Sequence, residues 1–447
     1  MTTTVRILGS RAREQVPGTS ITLLAPGFRG SLTQLTPGVA QGANCDLPFA
    51  EAAACADVML AAQLNLELEA RPEPHVPGLS RPPVRMRSAG VSHPRVIVPR
   101  RPGVTYALLQ TDESGVSTFL SPLPGDDTEA VFRLNVAAQT THRTLRVLMW
   151  PELQASGPGP LAVASRWERL RRPNQIAQRV LGGLWQPPDW QALVSGPVLL
   201  LLPDTFSTPQ ATFADWIDDA SFLPVAQRYE GRCLAFTHPT LSAGIGENLE
   251  WLVSHVASLP GPFDVVAHGR GGLLARALAV DGRLPLRRVC QVGAPNKGTL
   301  LARESHLPRF LDAHVALLAT TPKVVAQGTL EGVLCLARCV AQGLRAALPG
   351  IEALTPDSNA PALPDFRAPG LEWFTVGAQF SSAPIGSRDR LEPDDFGATP
   401  NDGVVPAQGC HEPGIAVSDS LLLAGPDVHH HNYFADPEVR ARLAQWL

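Results

Sequence analysis

The sequence predicts a two-domain protein: a mainly parallel α/β domain with helices on both faces of its sheet, preceded by a β-rich N-terminal domain. Three observations carry this. At 447 residues the chain is longer than one ordinary domain. Its pattern changes at Ala155-Ser156-Gly157-Pro158-Gly159-Pro160, a composition that resists packing and marks a boundary. After that boundary, short runs that are apolar on both faces alternate with stretches of helical spacing, as expected of a covered parallel sheet.

In the first domain, residues 1–155, strands are expected at Ser20–Leu24, Arg95–Val98, Val104–Gln110, Val116–Leu120, Ala130–Val136 and Leu145–Trp150. Turn chemistry divides them, at Asp112-Glu113-Ser114-Gly115 and Pro124-Gly125-Asp126-Asp127. Short strands spaced by turns point to a sandwich or part of a barrel. An Ala-rich stretch, Phe49–Ala70, is expected to be a helix, followed by a Pro-rich connection through Arg71–Pro83. No chemical motif stands out here.

The second domain, residues 161–447, has strand candidates at Val198–Leu202, Cys233–Phe236, Phe263–Ala267, Arg288–Val292, Trp373–Val376 and Ser420–Leu423. Leu249, Leu252, Val253 and Val256 recur at helical spacing, as do Leu273, Leu274, Ala277 and Leu278. Residues 300–365 interrupt the alternation with helix-like segments around Leu307–Leu318 and Glu331–Ala347, read equally well as a lid or as ordinary covering helices.

Composition limits the function. Hydrophobic residues make up 44% and charged residues 17%, a globular balance. A net charge of −4 with no basic stripe or tail argues against nucleic-acid binding. No apolar run approaches the roughly 18 residues of a membrane-spanning helix. The start, MTTTVRILGSRAREQ, lacks the apolar core of a secretory signal, so a cytoplasmic location is expected. Cys45, Cys55, Cys233, Cys290, Cys335, Cys339 and Cys410 are scattered and odd in number, the pattern of reduced thiols. No spacing proposes a metal or a cofactor.

The stretch that carries chemistry is Asp264–Arg276, DVVAHGRGGLLAR: a buried strand, a tight turn and a helix start. Downstream come Val292-Gly293-Ala294-Pro295-Asn296-Lys297-Gly298-Thr299, Asn401-Asp402-Gly403-Val404-Val405-Pro406 and His430-His431-Asn432-Tyr433-Phe434-Ala435-Asp436-Pro437. Together with Arg232–Leu241, these runs resemble bacterial lipase/esterase-like α/β-hydrolases over residues 165–447. The resemblance implies a nucleophile at the elbow apex, an acid at Asp402 and a base at His430, in the chain order of that fold. His429 or His431 are the alternatives for the inward-facing imidazole.

Two departures follow. The apex of the G-x-S-x-G elbow is Gly269, which has no side chain to attack with. The oxyanion region, where Asp204, Thr205 and the residue after the apex, Arg270, are expected, begins Pro203-Asp204. Pro203 has no N–H, and a carboxylate at Asp204 would repel an oxyanion. The expected function is therefore a catalytically silent hydrolase-fold protein acting by binding an acyl- or ester-like small molecule, a lipid or a protein partner. Two alternatives stand beside it. One is an active carboxylic-ester hydrolase with a non-standard nucleophile such as Ser207. The other is an N-terminal interaction module carried on a hydrolase-like scaffold.

Overall fold

The computed structural model describes residues 3–8, 12–35, 59–70, 93–112, 117–123, 128–134, 141–151, 159–181, 183–318, 321, 323–341, 348–358, 369–380, 396 and 399–447. The chain divides into two compact units, Met1–Ala155 and Ser156–Leu447.

The first unit is built of antiparallel strands: β1 (Thr3–Ile7), β2 (Glu14–Gln15), β3 (Thr22–Leu24), β4 (Phe28–Leu35), β5 (Met59–Ala70), β6 (Arg95–Pro99), β7 (Val104–Asp112), β8 (Ser117–Leu120), β9 (Glu129–Arg133) and β10 (Thr141–Pro151). They form a six-stranded sheet in the order β1-β4-β5-β10-β7-β8 and a four-stranded sheet in the order β2-β3-β6-β9. Leu32, Leu66 and Val147 from the first sheet and Leu23, Val96 and Phe132 from the second share one hydrophobic cluster.

The helix expected over Phe49–Ala70 is corrected: Met59–Ala70 is strand β5, paired with β4 and β10. Ala62, Leu64, Leu66 and Leu68 are buried, while the residues between them are half-buried or exposed. That period of two outweighs the helix propensity of Ala, Leu and Glu, because tertiary burial decides between them. Residues 49–58, the connection at 71–83, and the turn residues 113–115 and 124–127 lie outside the described residues. Strand β4 escaped the sequence reading because Gly30 interrupts it. Glycine is required there, since a Cβ would lie 1.8 Å from the Glu67 carbonyl oxygen.

The second unit is an α/β fold built on a mainly parallel sheet. Its strands are β11 (Gln175–Arg179), β12 (Trp185–Gln186), β13 (Val198–Leu202), β14 (Cys233–Thr237), β15 (Phe263–His268), β16 (Leu286–Val292), β17 (Glu372–Phe380) and β18 (Asp419–Gly425). The sheet order is β12-β11-β14-β13-β15-β16-β17-β18. β11 pairs antiparallel with both neighbours, and the run from β14 to β18 is parallel. Within β13 every side chain is buried, and alternation sends them to opposite faces. Leu199 and Leu201 join Trp216, Tyr433 and Trp446 on one side. Val198, Leu200 and Leu202 join Leu252, Leu274 and Leu278 on the other. Each such burial stabilises by about 1.5–3 kcal/mol relative to exposure.

Six helices matter to the site: α1 (Pro160–Arg171), α2 (Ile245–Val256), α3 (Arg270–Asp281), α4 (Leu307–Leu318), α5 (Lys323–Ala341) and α6 (Pro437–Trp446). No helix among the described residues is long and apolar enough to cross a membrane. Helix α3 starts directly from β15, and its first turn lies close to the sheet. A Cβ on Gly271 would sit 2.3 Å from the Leu202 carbonyl oxygen, and one on Gly272 would sit 2.4 Å from the Ala294 Cβ.

Gly271→Ala is therefore expected to lower the melting temperature, with overpacking of this kind costing about 1–3 kcal/mol. Gly246→Ala in α2, where a Cβ meets nothing within 4 Å, should be neutral or slightly stabilising. Thermal melts of the two variants check the contrast.

Candidate functional site

Gly269 stands between β15 and α3 with φ 50° and ψ −122°. Glycine reaches this left-handed region without the Cβ penalty other residues pay. Its N–H donates to the Val292 carbonyl at 3.0 Å, tying the turn to the end of β16. The space in front of its Cα is filled. A Cβ built there would lie 1.8 Å from Asp204 Oδ1 and 2.2 Å from Asp204 Cγ.

Asp204 reaches this point from the loop after β13. Its Oδ1 accepts the Arg270 backbone N–H at 2.7 Å, from the first residue of α3. The helix N-terminus favours a negative charge there. Its Oδ2 lies 3.0 Å from His430 Nε2. On the other side of the ring, His430 Nδ1 lies 2.7 Å from Asp402 Oδ2. Asp402 in turn accepts the Val404 and Val405 backbone N–H groups at Oδ1, at 2.9 and 2.7 Å, and the Tyr433 hydroxyl at Oδ2, at 3.0 Å. All three charged residues are buried.

The result is a buried carboxylate–imidazole–carboxylate chain. Burial pulls the His430 pKa down, but Asp402 and Asp204 together push it up to about 10. Burial alone would raise both carboxyls, and the imidazolium between them holds both below the usual carboxylate range. The ring is therefore a cation at neutral pH, bonded at both nitrogens.

The sequence-predicted positions fall as follows. Gly269, Asp204, Arg270, Asp402 and His430 converge. Thr205 is buried beside them, and its hydroxyl has no partner among the described residues. The three consecutive histidines separate. His431 Nε2 pairs with His314 Nδ1 of α4 at 2.9 Å, and His429 packs edge-on to Phe380. Ser207 lies apart, its hydroxyl 3.4 Å from the Thr208 carbonyl.

Sequence reasoning missed His268, His314 and Tyr433. His268 immediately precedes Gly269 and Tyr433 follows the histidine run, so chain proximity was an available signal. Nothing local points to His314, which is brought in by α4. Burial drives His268, His314 and His429 down, to about 4, 3 and 4, and holds His431 well below its ordinary value. One charged imidazole thus sits among four neutral ones.

A small cavity of about 10 Å³ opens in front of Asp204, Gly269 and His430, bounded by Pro295, Thr299, Phe310 and His314 among others. That is room for about one water. The Thr299 hydroxyl donates to the Val404 carbonyl at 2.7 Å, which ties the Pro295–Thr299 loop to the turn carrying Asp402. Helix α4 closes the top through Phe310 and His314, and both rings contact Phe206.

A double-sided ion pair has a defined pH signature. A folded pKa raised from 6.5 to about 10 gives a contribution that is complete below about 6.5 and lost as pH rises through about 10. The depressed carboxyls contribute above about 3.9, the unfolded value, and lose that as pH falls through their lower folded values. The melting-temperature advantage of the wild type over Asp204→Asn should be largest between about pH 5 and 6.5 and shrink toward about pH 10. A difference constant from pH 5 to 10 would contradict the assignment.

Comparison with known proteins finds distant structural likenesses. The fold is similar to that of a lipase from Bacillus licheniformis, at 15% identity over 61% of this chain and 97% of that one, with a TM-score of 0.34. It is also similar to an α/β-hydrolase fold protein from Chitinophaga pinensis, at 15% identity over 56% of this chain and 88% of that one, with a TM-score of 0.34. Such distant likenesses bear on the fold alone. Among curated proteins none matches the chain. Residues 166–447 match the family described as a domain of unknown function (DUF7379), and the chain belongs to that family.

Proposed function

We propose that this α/β-hydrolase-fold protein does not turn over esters through a serine nucleophile, and that it acts by binding through its pocket or its surface. The observation that carries this reading is the Asp204 carboxylate, which fills the volume in front of Gly269 and takes the Arg270 N–H. In an acyl-transfer site of this fold, that volume belongs to the nucleophile's side chain, and the N–H after it belongs to the oxyanion. A fixed anion there opposes the charge such a site must stabilise, and loss of one good oxyanion donor costs about 3–4 kcal/mol of transition-state stabilisation.

The changes at 204 and 269 support each other. Glycine relieves roughly 1–3 kcal/mol of backbone strain at an elbow apex. It also makes room for the Asp204 carboxyl group. A recruited Ser207 finds no support, because its hydroxyl points to the Thr208 carbonyl rather than to His430. The ligand class that fits the reading is a small acyl- or ester-like molecule or a lipid, admitted if α4 moves away from the cavity. A role for residues 1–155 in holding a protein partner belongs to the same binding reading.

The test is labelling by a fluorophosphonate probe together with turnover of short and long acyl p-nitrophenyl esters. Wild-type protein is expected to show neither. Gly269→Ser alone should remain unlabelled, because the new Cβ would collide with Asp204. Gly269→Ser combined with Asp204→Gly has the space for a serine beside His430 and is the variant expected to label. Stoichiometric labelling of the wild type on any serine would overturn the proposal.

A further inference from the structure

His268 is the least explained group in the site. It lies at the end of β15, 4% exposed, with its ring 4.9 Å from that of His430. Among the described residues neither ring nitrogen makes a hydrogen bond of good geometry, and the closest approach is a weak one to the His430 backbone. A buried imidazole so poorly paired costs free energy that a folded protein ordinarily avoids. One donor atom each from His268, His430 and Asp204 lies within 4.8 Å of the other two, and all three residues are buried.

We infer that His268, His430 and Asp204 form a binding site for a divalent transition-metal ion of the zinc class, with one donor atom from each converging on the ion. Two imidazole nitrogens and one carboxylate oxygen suit Zn²⁺ or Fe²⁺ and disfavour the all-oxygen preferences of Ca²⁺ and Mg²⁺. Asp402 stands behind His430 Nδ1 at 2.7 Å, the outer carboxylate that orients a metal-bound histidine and raises its basicity. The Arg270 N–H fixes the other oxygen of Asp204 at 2.7 Å in the same supporting way.

The surroundings favour a cation, because two buried carboxyl groups, Asp204 and Asp402, flank the His430 ring at 3.0 and 2.7 Å. Ligands about 2.0–2.2 Å from a tetrahedral ion lie roughly 3.3–3.5 Å apart. Asp204 Oδ2 and His430 Nε2 stand at 3.0 Å, and His268, within 4.8 Å of both, closes in by at most about 1.5 Å on binding. Asp204 and His430 also line the cavity of about 10 Å³, which has space for one water as a fourth ligand. His314 lines the same cavity, and its Nε2 has no hydrogen-bond partner among the described residues. The inference stands independently of whether the pocket turns over an ester, since its test reads ion binding alone.

The experiment loads the full-length, chelator-treated protein with Co²⁺ as a spectroscopic stand-in for Zn²⁺. The expected result is one Co²⁺ per chain with the intense visible absorption of a four-coordinate site, displaced by Zn²⁺. The wild type should also show a rise in melting temperature with Zn²⁺. His268→Phe, which keeps the ring volume, and Asp204→Asn, a neutral isostere, should each weaken binding at least tenfold and lose the spectrum. His255→Ala, at an exposed helix position, should change neither. A wild type that takes up no stoichiometric ion would overturn the inference. So would one whose ion binds equally well in folded His268→Phe and Asp204→Asn.

Discussion

Everything distinctive about this site follows from where one carboxyl group lies. Asp204 occupies the volume that a side chain at position 269 would need, so glycine at the elbow and aspartate on the neighbouring loop are physically coupled. From that position the carboxylate meets the Arg270 N–H and His430 Nε2. Asp204 therefore completes a chain that runs through His430 to Asp402 and on to the Tyr433 hydroxyl. Strands β13, β15, β17 and β18 supply the loops that carry its members, so the site depends on the parallel sheet being in register.

Burying two carboxylates and an imidazolium is expensive unless every lone pair and proton is met. Asp402 meets this condition with two backbone N–H groups, a hydroxyl and the imidazole. Asp204 meets it with one N–H and the imidazole, so its environment is the thinner of the two. The unpaired nitrogens of His268 and the unpaired hydroxyl of Thr205 lie on the Asp204 side. Thr205 and His314, each with an unpartnered polar atom among the described residues, line the small cavity. A site that had lost all use would be expected to replace such groups with apolar ones, because the exchange is stabilising when both partners go.

The α/β unit was legible because its signals are local. Val198–Leu202 is apolar at every position and is strand β13, and Leu307–Leu318 has helical spacing and is helix α4. The order of elbow, Asp402 and His430 along the chain could be read directly, and the structure brings them together. What sequence could not give was the direction of the Asp204 side chain. A residue two positions past a strand end faces the pocket or the solvent depending on the loop, and this loop is set by Phe206 in a left-handed conformation with φ 61°. His314 was equally hidden, because its place comes from packing of α4 across the strand ends. In the N-terminal unit, β5 was misread because its residue types favour helix while its burial alternates as in a strand. Propensity and periodicity disagreed there, and burial decided.

The most direct measurement is a double-mutant cycle on folding stability with Gly269→Ala, Asp204→Gly and the pair together. If the carboxylate fills the space in front of residue 269, Gly269→Ala should be strongly destabilising while Asp204 is present and much less so once it is glycine, giving a coupling free energy of about 1–3 kcal/mol. Additive effects, within about 0.5 kcal/mol, would mean that the two residues do not share that volume, and the account of the site would fail.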